Sequence, residues 1–160
     1  MSAPIPDAEH VLGTMAAAAH EHHSELWAEL TILETELICA VRAGADFTEA
    51  RDAFVRYLRA DVVDHLEAEQ TVLHSTARGV GADALVTALD LDHKAILALI
   101  DHLARSETGL QAIMAARSLV LLFALRMEKE ESVLLPLLRE AGVDVEALLV
   151  GKVEITGAGE

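Results

Sequence analysis

Aromatic side chains are nearly missing from this chain: one Trp, one Tyr and three Phe in 160 residues. A sheet fills its pleated faces with aromatic and β-branched residues, so this scarcity argues against a β fold. Proline and glycine are also few, three and nine, which leaves little punctuation and implies long helices. The single cysteine, Cys39, excludes an intrachain disulfide framework and fits a reducing compartment. It reads as a small buried apolar side chain. Basic residues are outnumbered, 12 Lys and Arg against 27 Asp and Glu, for a net charge of −15. Such a surface would repel a phosphate backbone or an anionic membrane, so neither nucleic acid nor membrane is expected as a partner. The opening residues, MSAPIPDAEH, show no basic stretch or apolar core of a signal peptide. The longest apolar run, Leu119 to Leu125, falls short of the ~20 residues that cross a bilayer. The expected location is the cytoplasm.

What is present is aliphatic. Apolar residues make up 52% of the chain, and Ala, Leu and Val supply most of them, a composition suited to close-packed helices. The length fits one domain over residues 1–160. Four helical stretches follow from the spacing of apolar residues, at about 7–42, 48–77, 83–105 and 109–141. Leu26, Leu30, Leu33 and Leu37 mark the inward face of the first, with Asp7 as its cap and Gly44 at its end. The second is capped by Asp46 or Thr48 and reads Phe54, Leu58, Val62, His65, Glu69, Val72. The third starts at Asp83 and reads Leu85, Leu89, His93, Ile96, Ile100, Leu103. The fourth reads Leu119, Phe123, Arg126, Glu130, Val133, Leu137, with a kink expected at Pro136. Gly142 closes it, Asp144 caps a short extra helix to Val150, and a frayed tail begins at Gly151. No internal repeat is apparent. Short connections between long helices predict an all-α, up-down-up-down antiparallel four-helix bundle with a short C-terminal helix.

Polar residues standing inside these apolar stripes carry the functional signal, because burying them without partners is costly. His65 and Glu69 are four apart and share a helix face. His93 interrupts the third stripe, Arg126 and Glu130 the fourth, and His23 lies one turn before Leu26, with His20 a turn earlier. Counting from the connecting loops puts His23 level with His65, and Glu69 nearly level with His93, while Arg126 fits that layer less well. Imidazole with carboxylate suits iron, manganese or zinc, and helical bundles build such sites from facing helices. His10, His22 and His102 read as flanking or solvated. His74, nine residues past His65, falls on the opposite face of an α-helix. Glu128 and Lys129 read as an outer face, Glu131 competes with Glu130 for the inward place, and Met114 and Met127 read as core filler.

At His65-Leu-Glu-Ala-Glu69-Gln and at Arg126-Met-Glu-Lys-Glu130-Glu131-Ser-Val-Leu-Leu-Pro136 the chain resembles hemerythrin-like (HHE cation-binding) proteins. The resemblance spans about residues 15 to 140 and rests on the order and spacing of the motifs together. It implies a non-heme di-iron site bridged by carboxylates, in proteins that bind or sense oxygen, respond to redox state, handle iron or destroy peroxide. Carried over by position, His23, His65, Glu69, His93 and Glu130 match, with Glu131 the rival for the last place. Two positions depart: a fourth-helix histidine is Arg126 here, and a second third-helix histidine falls at Leu97. Arg126 stays protonated and cannot be a ligand. It is expected to stand in electrostatically for a second iron, leaving one metal or none. In the alternative, Arg126 turns outward and His20 or His102 completes an ordinary di-iron centre.

The leading functional expectation is a non-heme iron protein, mono- or dinuclear, that binds or senses oxygen, redox state or iron through a small molecule such as dioxygen or peroxide. Zinc and manganese are the other candidate metals. A peroxide-handling di-iron enzyme is the first alternative, for which Tyr57 is the one obvious phenol, and no catalytic residue is assigned. A metal-free helical interaction module is the second. Either a monomer or a homodimer fits.

Overall fold

A computed structural model describes residues 8–145 and 147–148, with side chains from His22 onward. Four helical runs account for nearly all of it: α1, Ala8–Arg42; α2, residues 48–79; α3, Asp83–Ala104; and α4, Gly109–Glu140. No strand occurs among the described residues. The protein is all-helical. Helix α1 packs on α2 and α4, and α3 packs on the same two helices.

Local chemistry explains the ends. Gly44 and Gly142 sit at φ 66° and 79°, the left-handed conformation that closes a helix at no steric cost to glycine. The backbone bonds of that closure are present, from Ala45 N–H to the Ala40 carbonyl at 3.1 Å and from Val143 N–H to the Leu138 carbonyl at 3.0 Å. Asp46 accepts the Thr48 N–H at 2.9 Å before α2 begins. Asp83, expected as a cap, is instead the first helical residue of α3, where its charge meets the positive end of the helix dipole. Helix α4 opens with a capping box that the sequence reading passed over: Gln111 N–H donates to the Thr108 hydroxyl, and the Gln111 side chain accepts the Thr108 N–H. Asp144 accepts the Ala147 N–H at 3.0 Å, the start of the short extra helix. The rest of that helix, the tail from Gly151, Asp7 and the side chain of His20 lie outside the described residues.

Two apolar clusters fill the interior. One joins Leu26, Leu30, Phe54, Leu66, Ile96, Leu119 and Phe123. The other joins Leu73, Ala77, Val86, Leu89, Leu134 and Leu138. Along α2, α3 and α4 the polar residues His65, Glu69, His93, Arg126 and Glu130 fall where one cluster gives way to the other, so the site is a buried polar layer between two apolar ones.

The α-helical ladder widens to i→i+5 bonding in α2 over Leu58–Val62 and Gln70–His74, and in α4 over Glu130–Leu134. Each widened turn takes an extra residue and rotates everything after it. The inward face past Glu69 therefore moves from the expected Val72 to Leu73 and His74. Past Glu130 it moves from the expected Val133 and Leu137 to Leu134 and Leu138, and Val133 is exposed. Pro136 falls in the first turn of the restarted α-segment Leu135–Glu140, directly after the widened turn, so the ladder is reset there. Positions 65 and 126, and 69 and 130, differ by the same 61 places, and at that offset Leu58, Glu67, Glu69, Val72 and Leu73 meet Leu119, Glu128, Glu130, Val133 and Leu134. Arg126 stands where α2 has His65.

Two expectations about the exterior are corrected. Cys39 is exposed, because it lies two residues past the buried Leu37 and so on the far side of α1. Met114 is exposed, whereas Met127 packs against the core. Leu121 and Leu125 are also exposed, so α4 is buried on one side only. By length and composition alone α4 could cross a membrane, its most apolar window reaching a mean hydropathy of 1.6. Its inward face nevertheless buries Arg126 and Glu130 against the other helices.

Candidate metal centre

Glu69 is the hub of the polar layer. Its Oε1 lies 2.5 Å from His65 Nε2 and 3.4 Å from His23 Nε2, while its Oε2 accepts a hydrogen bond from Arg126 Nη2 at 3.2 Å. The i,i+4 spacing on α2 puts His65 and Glu69 on one face, and α1 brings His23 against them with the two imidazoles edge to face, centroids 5.1 Å apart. His22, the neighbour of His23, is exposed, yet its ring stands 5.0 Å from that of His65. His102 is exposed on α3.

On α4, Glu130 is buried beside this group and Glu131 is partly exposed at its edge. Glu131 Oε1 lies 2.6 Å from His23 Nδ1. His23 is thus a doubly donating imidazolium. Burial works against its charge, but the bond to Glu69, the fields of Glu130 and Glu69 and the bond to Glu131 outweigh it and push the pKa up to about 9.

Arg126 is buried and turned inward, contrary to the alternative of an outward arginine. Besides Glu69 it donates from Nη1 to the Leu89 carbonyl at 2.9 Å, which ties α4 to α3. Reach explains how it joins a layer that simple counting placed it away from: the guanidinium ends several bonds from its own Cα. His93, one turn past Leu89, is buried with its Nε2 lacking a hydrogen-bond partner among the described residues. Burial and the Arg126 charge hold His93 below its ordinary pKa.

His74 is the residue that sequence reasoning set aside. The widened turn Gln70–His74 brings it to the inside, where it is buried, with Nδ1 2.8 Å from Asp90 Oδ1. Asp90 is also held by Arg78 Nη2 at 2.6 Å and by Gln70 Nε2 at 3.3 Å. Despite the cost of burial, the hydrogen bond from His74 and the charge and hydrogen bond of Arg78 hold the Asp90 carboxyl below the usual carboxylate range. No periodicity calculation at 100° per residue could find His74; only the extra residue in the turn does.

The donor set suits a cation on one side and not on the other. His23, His65 and Glu69 each offer a ligand atom, all within 4.8 Å of one another, and two imidazoles with a carboxylate fit a divalent transition ion. On the far side of Glu69 the fixed positive charge of Arg126 opposes a second ion.

No curated protein and no solved structure is significantly similar to the chain. A family model, the hemerythrin HHE cation-binding domain, matches residues 14–138. That span takes in all four helices and every candidate ligand from His20 to Glu131, and the chain therefore belongs to the hemerythrin HHE cation-binding domain family.

Proposed function

We propose that this protein is an up-down-up-down antiparallel four-helix bundle that holds a single non-heme metal ion, iron in the first instance, with zinc or manganese as the other candidates. His23, His65 and Glu69 would be ligands, with Glu130 completing the set. Glu131 would orient His23 through Nδ1, the way a carboxylate commonly fixes a metal-bound imidazole. The observation that carries this reading is the divided use of Glu69: one oxygen faces two imidazoles and the other faces Arg126. A carboxylate placed this way would join a metal ion on one side to a permanent protein cation on the other. A cytoplasmic protein that binds or senses oxygen, redox state or iron is the use that fits best, because the apolar clusters on both sides of the layer offer a small neutral molecule such as dioxygen or peroxide a favourable environment. Tyr57 gives little support to a peroxide-handling enzyme. It is only partly buried, and burial with the charges of Asp61, Glu29 and Glu25 pushes its pKa up to about 12.

Elemental analysis of protein purified without added metal tests the proposal, with one ion per chain the expected result. Two irons per chain with an oxo-to-iron absorption band would overturn it. One observation favours a metal-free interaction module: the ionic groups already pair among themselves, His23 with Glu131 and Arg126 with Glu69. That reading requires a melting temperature unmoved by chelator, whereas a bound ion raises it by mass action.

A further inference from the structure

We infer that the outward face of α4 pairs two copies of this chain, in an antiparallel contact whose two-fold axis passes between Arg117 and Ser118. That face is turned away from the polar layer, and the pairing does not depend on what the layer binds.

Four of the nine large apolar side chains exposed among the described residues stand on this one face. Leu110, Met114, Leu121 and Leu125 are each more than half exposed. The helix is regular as far as Lys129, so at ~100° per residue the four fall within about 60° of one another. The most apolar window of α4 is only 39% buried inside the bundle. Contiguous apolar surface left open on a single chain marks an interaction site.

The spacing points to the occupant. Along the stripe the intervals are four, seven and four residues, the same in either direction. With two copies of α4 antiparallel about the Arg117–Ser118 midpoint, Leu110 stands level with Leu125 of the second copy, and Met114 with Leu121 of the second copy. A two-fold contact requires such self-complementarity, because one patch must serve as both halves. The antiparallel sense also opposes the two α4 dipoles. Beside Met114 a groove of about 560 Å³ runs between α3 and α4, lined in part by Leu99, Ala115 and Ser118, and Leu121 of the second copy faces it.

Charge points to the same occupant. The chain carries −15, so two copies repel wherever their acidic surfaces meet. Between Glu107 and Glu128 there is no acidic residue, the longest such gap in the chain. The one charge within the stripe, Arg117, is already matched: its Nη1 donates to both oxygens of the buried Glu34, at 3.0 and 3.3 Å. An acidic partner would find no unmatched cation on the stripe, and a basic partner would be drawn to the other faces. At either end of the contact Glu107 stands level with Glu128 of the second copy, an exposed like-charge pair that salt would screen. A contact about one helix wide belongs with the small, micromolar interfaces. Dilute protein is therefore a single chain, and the stripe then contributes little to its stability.

Analytical ultracentrifugation of the full chain from about 1 to about 100 µM tests the pairing. A reducing agent is kept present so that the exposed Cys39 cannot bridge copies. The mass of wild type should rise from one chain towards two, and at lower concentration when salt goes from about 0.1 to about 0.5 M. Met114→Glu and Leu121→Lys should each remain a single chain, with helical circular dichroism unchanged. Mixed in equal amounts they should pair, because Glu at 114 of one copy meets Lys at 121 of the other. A wild type that stays single, variants that pair as well as wild type, pairing weakened by salt, or a mixture that stays single would each overturn the inference. Should either variant not fold, Leu110→Glu with Leu125→Lys makes the same test at the other matched level. Failure of that pair to fold as well would show that the stripe is no free surface, and would overturn the inference too.

Discussion

Glu69→Gln in the metal-free protein probes the whole polar layer at once. The wild-type carboxylate is buried and sits between a permanent cation, Arg126 at 3.2 Å, and a protonated His23 at 3.4 Å. An amide keeps the shape and removes the charge, which leaves two positive groups in the interior with less to balance them. Removing one partner of a buried ion pair costs about 3–5 kcal/mol. In a chain of this length 1 kcal/mol moves the melting temperature by about 2–4 °C, so a fall of about 6–20 °C is expected. His23 gives a sharper signature through pH. Its folded-state pKa of about 9 lies above the ordinary 6.5. Folding is therefore stabilised fully below pH 6.5, and that stability is lost as pH rises through 9. The linked free energy is about 3 kcal/mol at the low-pH end. Glu69 gives the largest upward push on that pKa, so in Glu69→Gln the decline between pH 6.5 and 9 should flatten. Urea unfolding of chelator-treated protein at pH 6, 7.5 and 9.5 measures both effects. The fluorescence of Trp27, the only tryptophan, reports the transition because its ring packs against the core. A cost below about 1 kcal/mol, or equal pH dependence in the two proteins, would refute the view of Glu69 as the hub.

Other expectations follow from the same structure. Zinc added to metal-free protein at pH 7.5 should release a proton from His23, seen as a dependence of the calorimetric heat on buffer ionisation; no such dependence would argue against His23 as a ligand. Leu66→Ala, within the first apolar cluster, should cost about 2–5 kcal/mol, whereas Leu121→Ala on the open side of α4 should stay within about 0.5 kcal/mol, both by denaturant unfolding. Thr108→Ala removes the hydroxyl of the capping box and should cost about 1 kcal/mol, with Thr108→Ser recovering most of it.

Much of this architecture is readable from residue order alone. Leucines at three- and four-residue spacing, such as Leu26, Leu30, Leu33 and Leu37, specify a helical face whatever they pack against, and all four are buried. His23, His65, Glu69, His93, Arg126 and Glu130 were legible for the opposite reason: each interrupts or extends such a stripe, and each is buried. Legibility stopped at the widened turns. Val72, Val133 and Leu137 were expected inside, but Leu73, Leu134 and Leu138 hold those places. A period of 3.6 residues carries no information about where a helix will take up an extra residue.

What the sequence by itself determined is the all-helical character, the family pattern and the set of polar residues that had to be paired. All of these depend on short-range periodicity and on the cost of burying polar groups. What only the tertiary structure decided is who pairs with whom. Glu131, the rival of Glu130 in the sequence, faces His23 Nδ1; His74 looked outward, yet Asp90 holds it in the core; and Arg126 could have reached solvent, yet it bridges Glu69 and Leu89. The physical reason is that a pairing depends on the rotation and depth of one helix against another, set jointly by packing and by the widened turns, and no single stretch of chain contains both partners.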